Sequence, residues 1–251
     1  MKRIRFAVPI FLFVIIWELI SRSNIVNIAL FPPPSSVLVA LVEMQKSGEL
    51  LRDIGSSYLR VFIGFSWGAS IGIMLGLLTG RIKPFSDALV PIIQLVRPLP
   101  PVAIIPLVIV WFGIGELAKI FSIGFAVFFP VWLATFLGAK QIPERLLWSA
   151  RTLTRSRLKM FHEVIFPATL PFIVAGLRTG IAISFVMVFV SELAGASSGI
   201  GYQISISHLA YRIDRMVASL VILGISGALA DLLFSLAATH IFPWLSLVRT
   251  N

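Results

Sequence analysis

The stretch VFIGFSWGASIGIMLGLLTG, residues 61–80, is twenty residues long and carries no charged side chain. About 20 mostly apolar residues in α-helical form cross the hydrocarbon core of a bilayer, because a helix satisfies its own backbone hydrogen bonds. Glycine recurs at every fourth position, 64, 68, 72, 76 and 80, so the five glycines share one helical face. We expect this face to pack closely against another helix of the same chain, in preference to a dimer interface or a pore lining.

The composition of the whole chain agrees with a membrane protein. Of its 251 residues, 58% are hydrophobic and only 13% are charged, with a mean hydropathy of +0.97. A water-soluble domain cannot bury so much apolar surface. The net charge is +10, but the basic residues lie between apolar spans and not among exposed aromatic residues, which argues against nucleic-acid binding. The absence of cysteine excludes disulfides, thiolate catalysis and cysteine metal sites.

The apolar segments predict an all-α, polytopic membrane protein, a single domain over residues 1–251. Six spans are expected, at residues 6–20, 61–80, 84–115, 120–139, 164–191 and 216–242. The first is short, contains Glu18 and follows three basic residues, so it has features of a cleaved signal peptide. No small-x-small site follows it, which favours an uncleaved helix. Between spans one and two, the apolar stripe Val37, Leu41 and Met44 predicts an amphipathic helix on the outer surface.

Lys and Arg are unevenly distributed between the segments that connect the spans. Twelve lie in the termini and in the segments after spans two and four, whereas seven lie in the segments after spans one, three and five. Since basic loops stay in the cytoplasm, both termini are predicted to be cytoplasmic.

The third span is interrupted by prolines in RPLPPVAIIP, residues 97–106. Each proline removes a backbone donor, and the freed carbonyls are tolerated at membrane depth only beside protein or a water-filled cavity. Arg97, Pro98, Pro100 and Pro101 are therefore candidates for a pathway or gate, and Glu192 joins them as an ionisable group bordering a span. A re-entrant structural kink is the alternative for the prolines.

Arg178 and Asp231 lie inside predicted spans, where an unpaired charge costs at least about 2.5 kcal/mol. Structural pairing and a substrate role both remain open for these residues.

Residues 140–166 predict a basic helical hairpin in the cytoplasm. Leu146, Ala150 and Leu153 fall at i, i+4 and i+7 and form an apolar face, and Ser156 interrupts the helix. Such a face fits either a partner protein or the inner membrane surface with its arginines at lipid phosphates.

The run SARTLTRSRLKMFHEVIFPATLPFIVAGLRTG, residues 149–180, resembles the signature loop of the permease subunits of bacterial ATP-binding-cassette importers. That pattern reads Glu-Ala-Ala, three residues, Gly, then Ile-x-Leu-Pro. Trp148, Ser149 and Ala150 take the first three positions, Thr154 takes the Gly, and residues 164–167 take the last element. Glu is replaced by Trp, Ala by Ser, and Gly by Thr, which resists the positive φ of a sharp turn.

Three other stretches resemble the nitrate, sulfonate, taurine and bicarbonate group of these permeases: FPPPSSVLVAL at 31–41, RPLPPVAIIPLVIVWFGIGELAKIF at 97–121 and SELAGASSGIGYQI at 191–204. The resemblance implies a type I importer permease fold in a bacterial inner membrane. It also implies a second permease copy, expected to make a homodimer, and a periplasmic or lipid-anchored binding protein. Cytoplasmic ATPase subunits would hold ATP and Mg²⁺ and contact Trp148, Ala150, Arg151, Leu153 and Thr154.

The expected function is a channel-forming subunit of an ATP-driven importer for a small anionic solute. An ion-coupled secondary transporter using Asp231 is one alternative, and an integral membrane enzyme is another. The enzyme has little support, because the three histidines lack metal-ligand spacing and GASSGIGY at 195–202 lacks the Lys and Ser/Thr of a P-loop. We expect no catalytic, cofactor-binding or metal site in this chain.

Overall fold

The computed structural model describes residues 2–23 and 26–244, with the side chains of the first helix from residue 8 onward. The regular structure of this part of the chain is helical. The helices are α1 Lys2–Arg22, α2 Pro34–Lys46, α3 Glu49–Arg81, α4 Lys83–Val96, α5 Pro101–Phe112, α6 Glu116–Lys140, α7 Glu144–Leu153, α8 Arg157–Met160, α9 Phe166–Leu193, α10 Ile200–Leu209 and α11 Ile213–Ile241, with a π-helical turn at Phe161–Ile165.

Helix α6 lies at the centre of the bundle between α3 and α9. The glycine face of α3 packs on α6, and a methyl group at Gly72 would lie only 3.0 Å from the Phe128 carbonyl oxygen. On the other side, Gly176 of α9 lies against Ala134 of α6. The prediction that the glycine stripe packs against a helix of the same chain is confirmed, and small residues supply the close approach that holds membrane helices together.

Four helices, α3, α6, α9 together with the hairpin helix before it, and α11, are long and apolar enough to cross a membrane. Helices α4 and α5 together pass the same test but are bent by 98°, so they make a broken fifth span or a re-entrant loop. The predicted break at the prolines is confirmed. Helix α1 is not among these five, so the sixth span remains a prediction.

Helix α2 confirms the amphipathic helix expected before the second span. Its buried residues Val37, Ala40 and Met44 pack with Ala218 of α11, and its partly buried Leu41 packs against the same cluster. The apolar face of α2 therefore contacts protein. Proline begins this helix, where the missing N–H would be unpaired in any case.

The bundle has two ends of different character. At one end, which we call the network end, α3 and α6 begin and α9 finishes. At the other, the hairpin end, an Arg81 guanidinium nitrogen donates to the Ala139 carbonyl oxygen at 3.3 Å, and residues 140–166 follow. Arg60 and Lys119 were counted from the sequence among the connecting segments, but both are buried within α3 and α6. Without these two residues, five basic residues remain in the segments after spans one, three and five, against twelve in the termini and the segments after spans two and four.

Candidate functional site

A network of charged side chains, all buried except the exposed Glu116, joins three helices at the network end. The Arg60 side chain is only 4% exposed and donates to both carboxylate oxygens of Glu116, at 2.6 and 2.8 Å. Its remaining terminal nitrogen donates to Glu192 at 2.7 Å and to the Ser198 carbonyl oxygen at 2.7 Å. Lys119 adds a second positive charge, 3.0 Å from Glu116. One guanidinium therefore links α3 to α6, α9 and the loop before α10.

The same network holds the beginning of α10. The backbone N–H groups of Gly199, Ile200 and Gly201 donate to Asp53, Ser57 and Glu192, respectively, at 2.8 to 2.9 Å. These N–H groups have no partner within the helix, so side chains of α3 and α9 supply the acceptors. Gly199 has φ +125°, and a Cβ there would overlap the Glu192 carboxyl group, so the loop needs glycine at this position.

Most of this network was missed in the sequence. The last residues of GASSGIGY begin α10, and nothing in that stretch of sequence indicated the bonds that hold them. Asp53, Ser57 and Arg60 precede Gly64 and Gly68 at spacings of four, three, four and four residues, and all five are buried. The face of small residues on α3 therefore continues as a buried polar face. This regular spacing was the one feature of the sequence that could have revealed the network.

The structure does not bring Glu192 together with the other candidate pathway residues. Arg97 ends α4 and is exposed, as are Pro98 and Pro100, while the half-buried Pro101 begins α5. Glu192 is fully buried and bonded to Arg60 and Ser57. It has a structural partner on α3, whereas the four residues of the break form a separate exposed corner.

The pair of ionisable groups deeper in the spans is also satisfied. The Arg178 guanidinium of α9 donates two hydrogen bonds to Asp231 of α11, at 2.9 and 2.7 Å. This bidentate geometry is the strong form of an Arg–carboxylate pair. Asp231 is thus engaged by an arginine, which weakens its assignment as a coupling carboxylate.

The hairpin has the predicted break but a different buried face. Helix α7 ends at Leu153, and the Ser156 hydroxyl accepts a hydrogen bond from the Lys159 N–H to start α8. Leu147 and Ala150 are buried, with Leu147 packed against Ile142 and Ile165. Leu146 and Leu153 were predicted to form, with Ala150, an apolar face for a partner protein or the membrane surface, and of these three residues only Ala150 is buried. Leu146 is 43% exposed and Leu153 87% exposed.

The candidate coupling residues of α7 differ in exposure. Trp148 is 60% exposed and Leu153 and Arg151 are also exposed, while Ala150 is buried. Thr154 follows the last residue of α7 and has φ −149°, an extended conformation that any residue adopts. Thr is therefore compatible with this backbone, which needs no positive φ here.

The return to the membrane passes through the π-helical turn. Pro167 lies two residues after its last residue, and in a continuous α-helix the proline ring would clash with the carbonyl four residues back, at Glu163. The wider turn lies where that clash would occur.

In the described residues, no three His, Asp or Glu side chains are grouped closely enough to hold a metal ion.

Comparison with known families gives a match over most of the chain. The model described as "Binding-protein-dependent transport system inner membrane component" matches residues 68–247.

Similar proteins are named as transport permeases. The putative aliphatic sulfonates transport permease protein SsuC of Bacillus subtilis (strain 168) is 34% identical over 229 residues, covering 91% of this chain and 83% of that protein. The nitrate import permease protein NrtB of Synechocystis sp. (strain ATCC 27184 / PCC 6803 / Kazusa) is 31% identical over 251 residues, with coverages of 96% and 90%. The taurine transport system permease protein TauC of Escherichia coli (strain K12) is 29% identical over 234 residues, with coverages of 91% and 85%.

Two solved structures share the fold. The inward-facing MetNI methionine ABC transporter has a chain that aligns with a TM-score of 0.63 at 20% identity, covering 80% of this chain and 98% of that one. A chain of the bacterial alginate ABC transporter, solved in complex with an alginate-bound periplasmic protein, also gives 0.63, at 19% identity with coverages of 96% and 94%. The chain therefore belongs to the family of binding-protein-dependent transport system inner membrane components, as a permease subunit of an ATP-binding-cassette importer in the group that includes nitrate, sulfonate and taurine permeases.

Proposed function

We propose that this permease subunit carries a small anionic solute of the sulfonate, nitrate or taurine type, and that its hairpin is the surface on which a cytoplasmic ATPase docks. The observation that carries the docking proposal is the exposure of large apolar side chains on α7. Trp148 and Leu153 have 60% and 87% of their surfaces exposed, and Arg151 is also exposed. The substrate class is supported by the names of the similar permeases, whose sequence matches extend over most of this chain.

The geometry of the hairpin suits the transmission of force. The buried Leu147 of α7 packs with Ile142 and with Ile165 of the π-helical turn, so a push on α7 reaches α9 through that turn. Tryptophan and arginine are common among the residues that dominate protein interfaces. ATP and Mg²⁺ would be held by the ATPase. A difference in the affinity of its nucleotide states for the two conformations of the hairpin would shift the permease from one conformation to the other.

A second copy of the chain would complete the channel. Helix α4 has no buried residue, and together with α3 and α6 it borders an apolar groove of about 290 Å³ that includes Trp67, Ile93 and Phe125. A homodimer would cover part of this surface. A periplasmic or lipid-anchored binding protein would deliver the solute at the network end, with the hairpin end and both termini in the cytoplasm, as the excess of basic residues there supports.

The docking surface can be tested by Leu153→Asp. Burial of a leucine at an interface contributes about 1.5 to 3 kcal/mol, and a buried carboxylate without a partner adds a further cost. We expect binding of the ATPase subunit to weaken by at least about thirtyfold, measured as co-purification from detergent and as a titrated affinity.

A matched control is Leu209→Asp, because Leu209 is 75% exposed at the opposite end of the protein. It should keep wild-type affinity for the ATPase, and both variants should insert into the membrane at wild-type yield. Recovery of the Leu153 variant with its ATPase at the control level would refute the docking surface. For the substrate class, uptake into proteoliposomes with the ATPase and binding protein should be competed by unlabelled sulfonates, taurine or nitrate, and competition only by neutral or cationic solutes would contradict it.

A further inference from the structure

A basic cleft lies at the hairpin end, between the end of α3 and the hairpin. Its volume is about 770 Å³, within the size range of pockets that hold drug-sized ligands. Five cationic side chains line it, and its lining includes no Asp or Glu: Arg81, Lys83, Arg151, Arg155 and Arg157. We refer to this pocket as the basic cleft.

The positive charges of the basic cleft are largely uncompensated. Arg81 is held by its hydrogen bond to the Ala139 carbonyl oxygen, a neutral partner that leaves its charge unbalanced. In the part of the chain that the structure describes, the other four cations have no carboxylate within 4.0 Å. The nearest ion pair of the hairpin joins Lys159 to Glu163, and neither lines the cleft. Like charges gathered in one concave surface repel each other unless an anion lies between them.

Apart from Thr154 and Ser156, the rest of the lining is apolar and includes residues from the ends of membrane-crossing helices. Leu77 and Leu78 belong to the last turns of α3, and Ile165 ends the π-helical turn that leads into α9. Met160 and Phe161 complete this wall. The lining of the cleft therefore combines five cationic side chains with apolar residues from the ends of two membrane-crossing helices.

We infer that the basic cleft binds an anionic phospholipid, with its phosphate between the arginines and its glycerol and first acyl carbons against the apolar wall. Arginine pairs with phosphate through two parallel hydrogen bonds, and basic pockets between membrane helices are suited to anionic head groups. A free phosphate or other small oxyanion would satisfy the cations but leave most of the cleft and its apolar wall unfilled. The inference goes beyond transport and rests only on the position of the cleft at the membrane surface.

The first test compares lipids on the unmodified full-length chain. Native mass spectrometry of the protein, released from nanodiscs holding equal amounts of dioleoyl phosphatidylglycerol and dioleoyl phosphatidylcholine, should show retained phosphatidylglycerol in clear excess. Equal retention of the two lipids would overturn the proposal. A parallel titration with inorganic phosphate separates the two sources of a phosphate group, because saturable phosphate binding without a lipid preference would assign the cleft to a free anion instead.

The second test removes three of the cations with Lys83→Gln, Arg155→Gln and Arg157→Gln together. All three side chains are exposed, so the fold does not depend on them. Each basic side chain near an anionic surface contributes about a factor of five in affinity. The triple variant should lose phosphatidylglycerol binding by a factor on the order of a hundred at physiological salt.

A matched control carries Lys140→Gln, Arg145→Gln and Lys159→Gln. These residues are exposed at the same end of the protein and do not line the cleft, so the net charge changes equally. The control should keep most of the lipid preference. An equal loss in both triple variants would reduce the effect to general attraction by a basic surface and overturn the proposal.

Discussion

Arg60→Met tests whether the network at the network end holds the bundle together. The variant removes a guanidinium that is 4% exposed and donates to Glu116, Glu192 and Ser198. Glu192, whose side chain has no exposed surface, would keep only Ser57 and the Gly201 N–H as donors. Removal of one partner of a buried ion pair typically costs about 3 to 5 kcal/mol, because the other charge stays buried without compensation.

A double-mutant cycle separates this electrostatic cost from lost packing. Glu192→Gln alone should cost about 1 to 3 kcal/mol, because Arg60 keeps its bidentate bond to the partly exposed Glu116. The double variant, Arg60→Met with Glu192→Gln, should be more stable than Arg60→Met alone, because no buried charge then lacks a partner.

The assay is equilibrium unfolding of the purified chain in mixed micelles, followed by far-ultraviolet circular dichroism. A cost below about 1 kcal/mol for Arg60→Met would show that water screens the pair as it does at a surface. Additive effects of the two substitutions would equally refute the idea that Arg60 compensates Glu192.

Two further predictions concern packing and pH. Gly68→Ala should lower stability by about 1 to 3 kcal/mol, since its methyl group would overlap the Gly124 backbone, whereas Gly55→Ala on the same helix has nothing within 4 Å and should gain up to about 1 kcal/mol; equal melting temperatures for the two would contradict the close helix contact. Hydrogen bonds, the largest from Arg212, hold the pKa of Glu43 below its usual 4.5, so its contribution to stability is complete above that pH and is lost as the pH falls through the lowered pKa of the folded state. Glu43→Gln should remove this part of the acid dependence of the melting temperature, and an unchanged acid limb would count against the pairing.

The features predicted correctly from the sequence are those set by local periodicity. The glycine spacing of α3 defined one face before any partner was known, and that face packs on α6. Ser156 stands at the break of the hairpin because a short polar side chain can cap the next helix. Proline likewise located the bend between α4 and α5, since its ring is incompatible with a continuous helix.

The features that were missed depend on partners distant in the chain. Arg60 bonds to residues 56 and 132 positions away, and nothing in the local sequence identifies either partner. In the hairpin, Leu146 and Leu147 are adjacent and similar, so periodicity could not decide which one is buried. The contacts of Leu147 with Ile142 and Ile165 decide it.

The network around Arg60 limits how this permease subunit can change shape. Because the Arg60 guanidinium pairs with the fully buried Glu192, α9 cannot separate from α3 at this end without leaving a buried charge unpaired. Helix α10 is joined to the same unit through its first backbone amides. A change of conformation that keeps the helices of this network together as one rigid unit therefore costs less free energy than one that separates them.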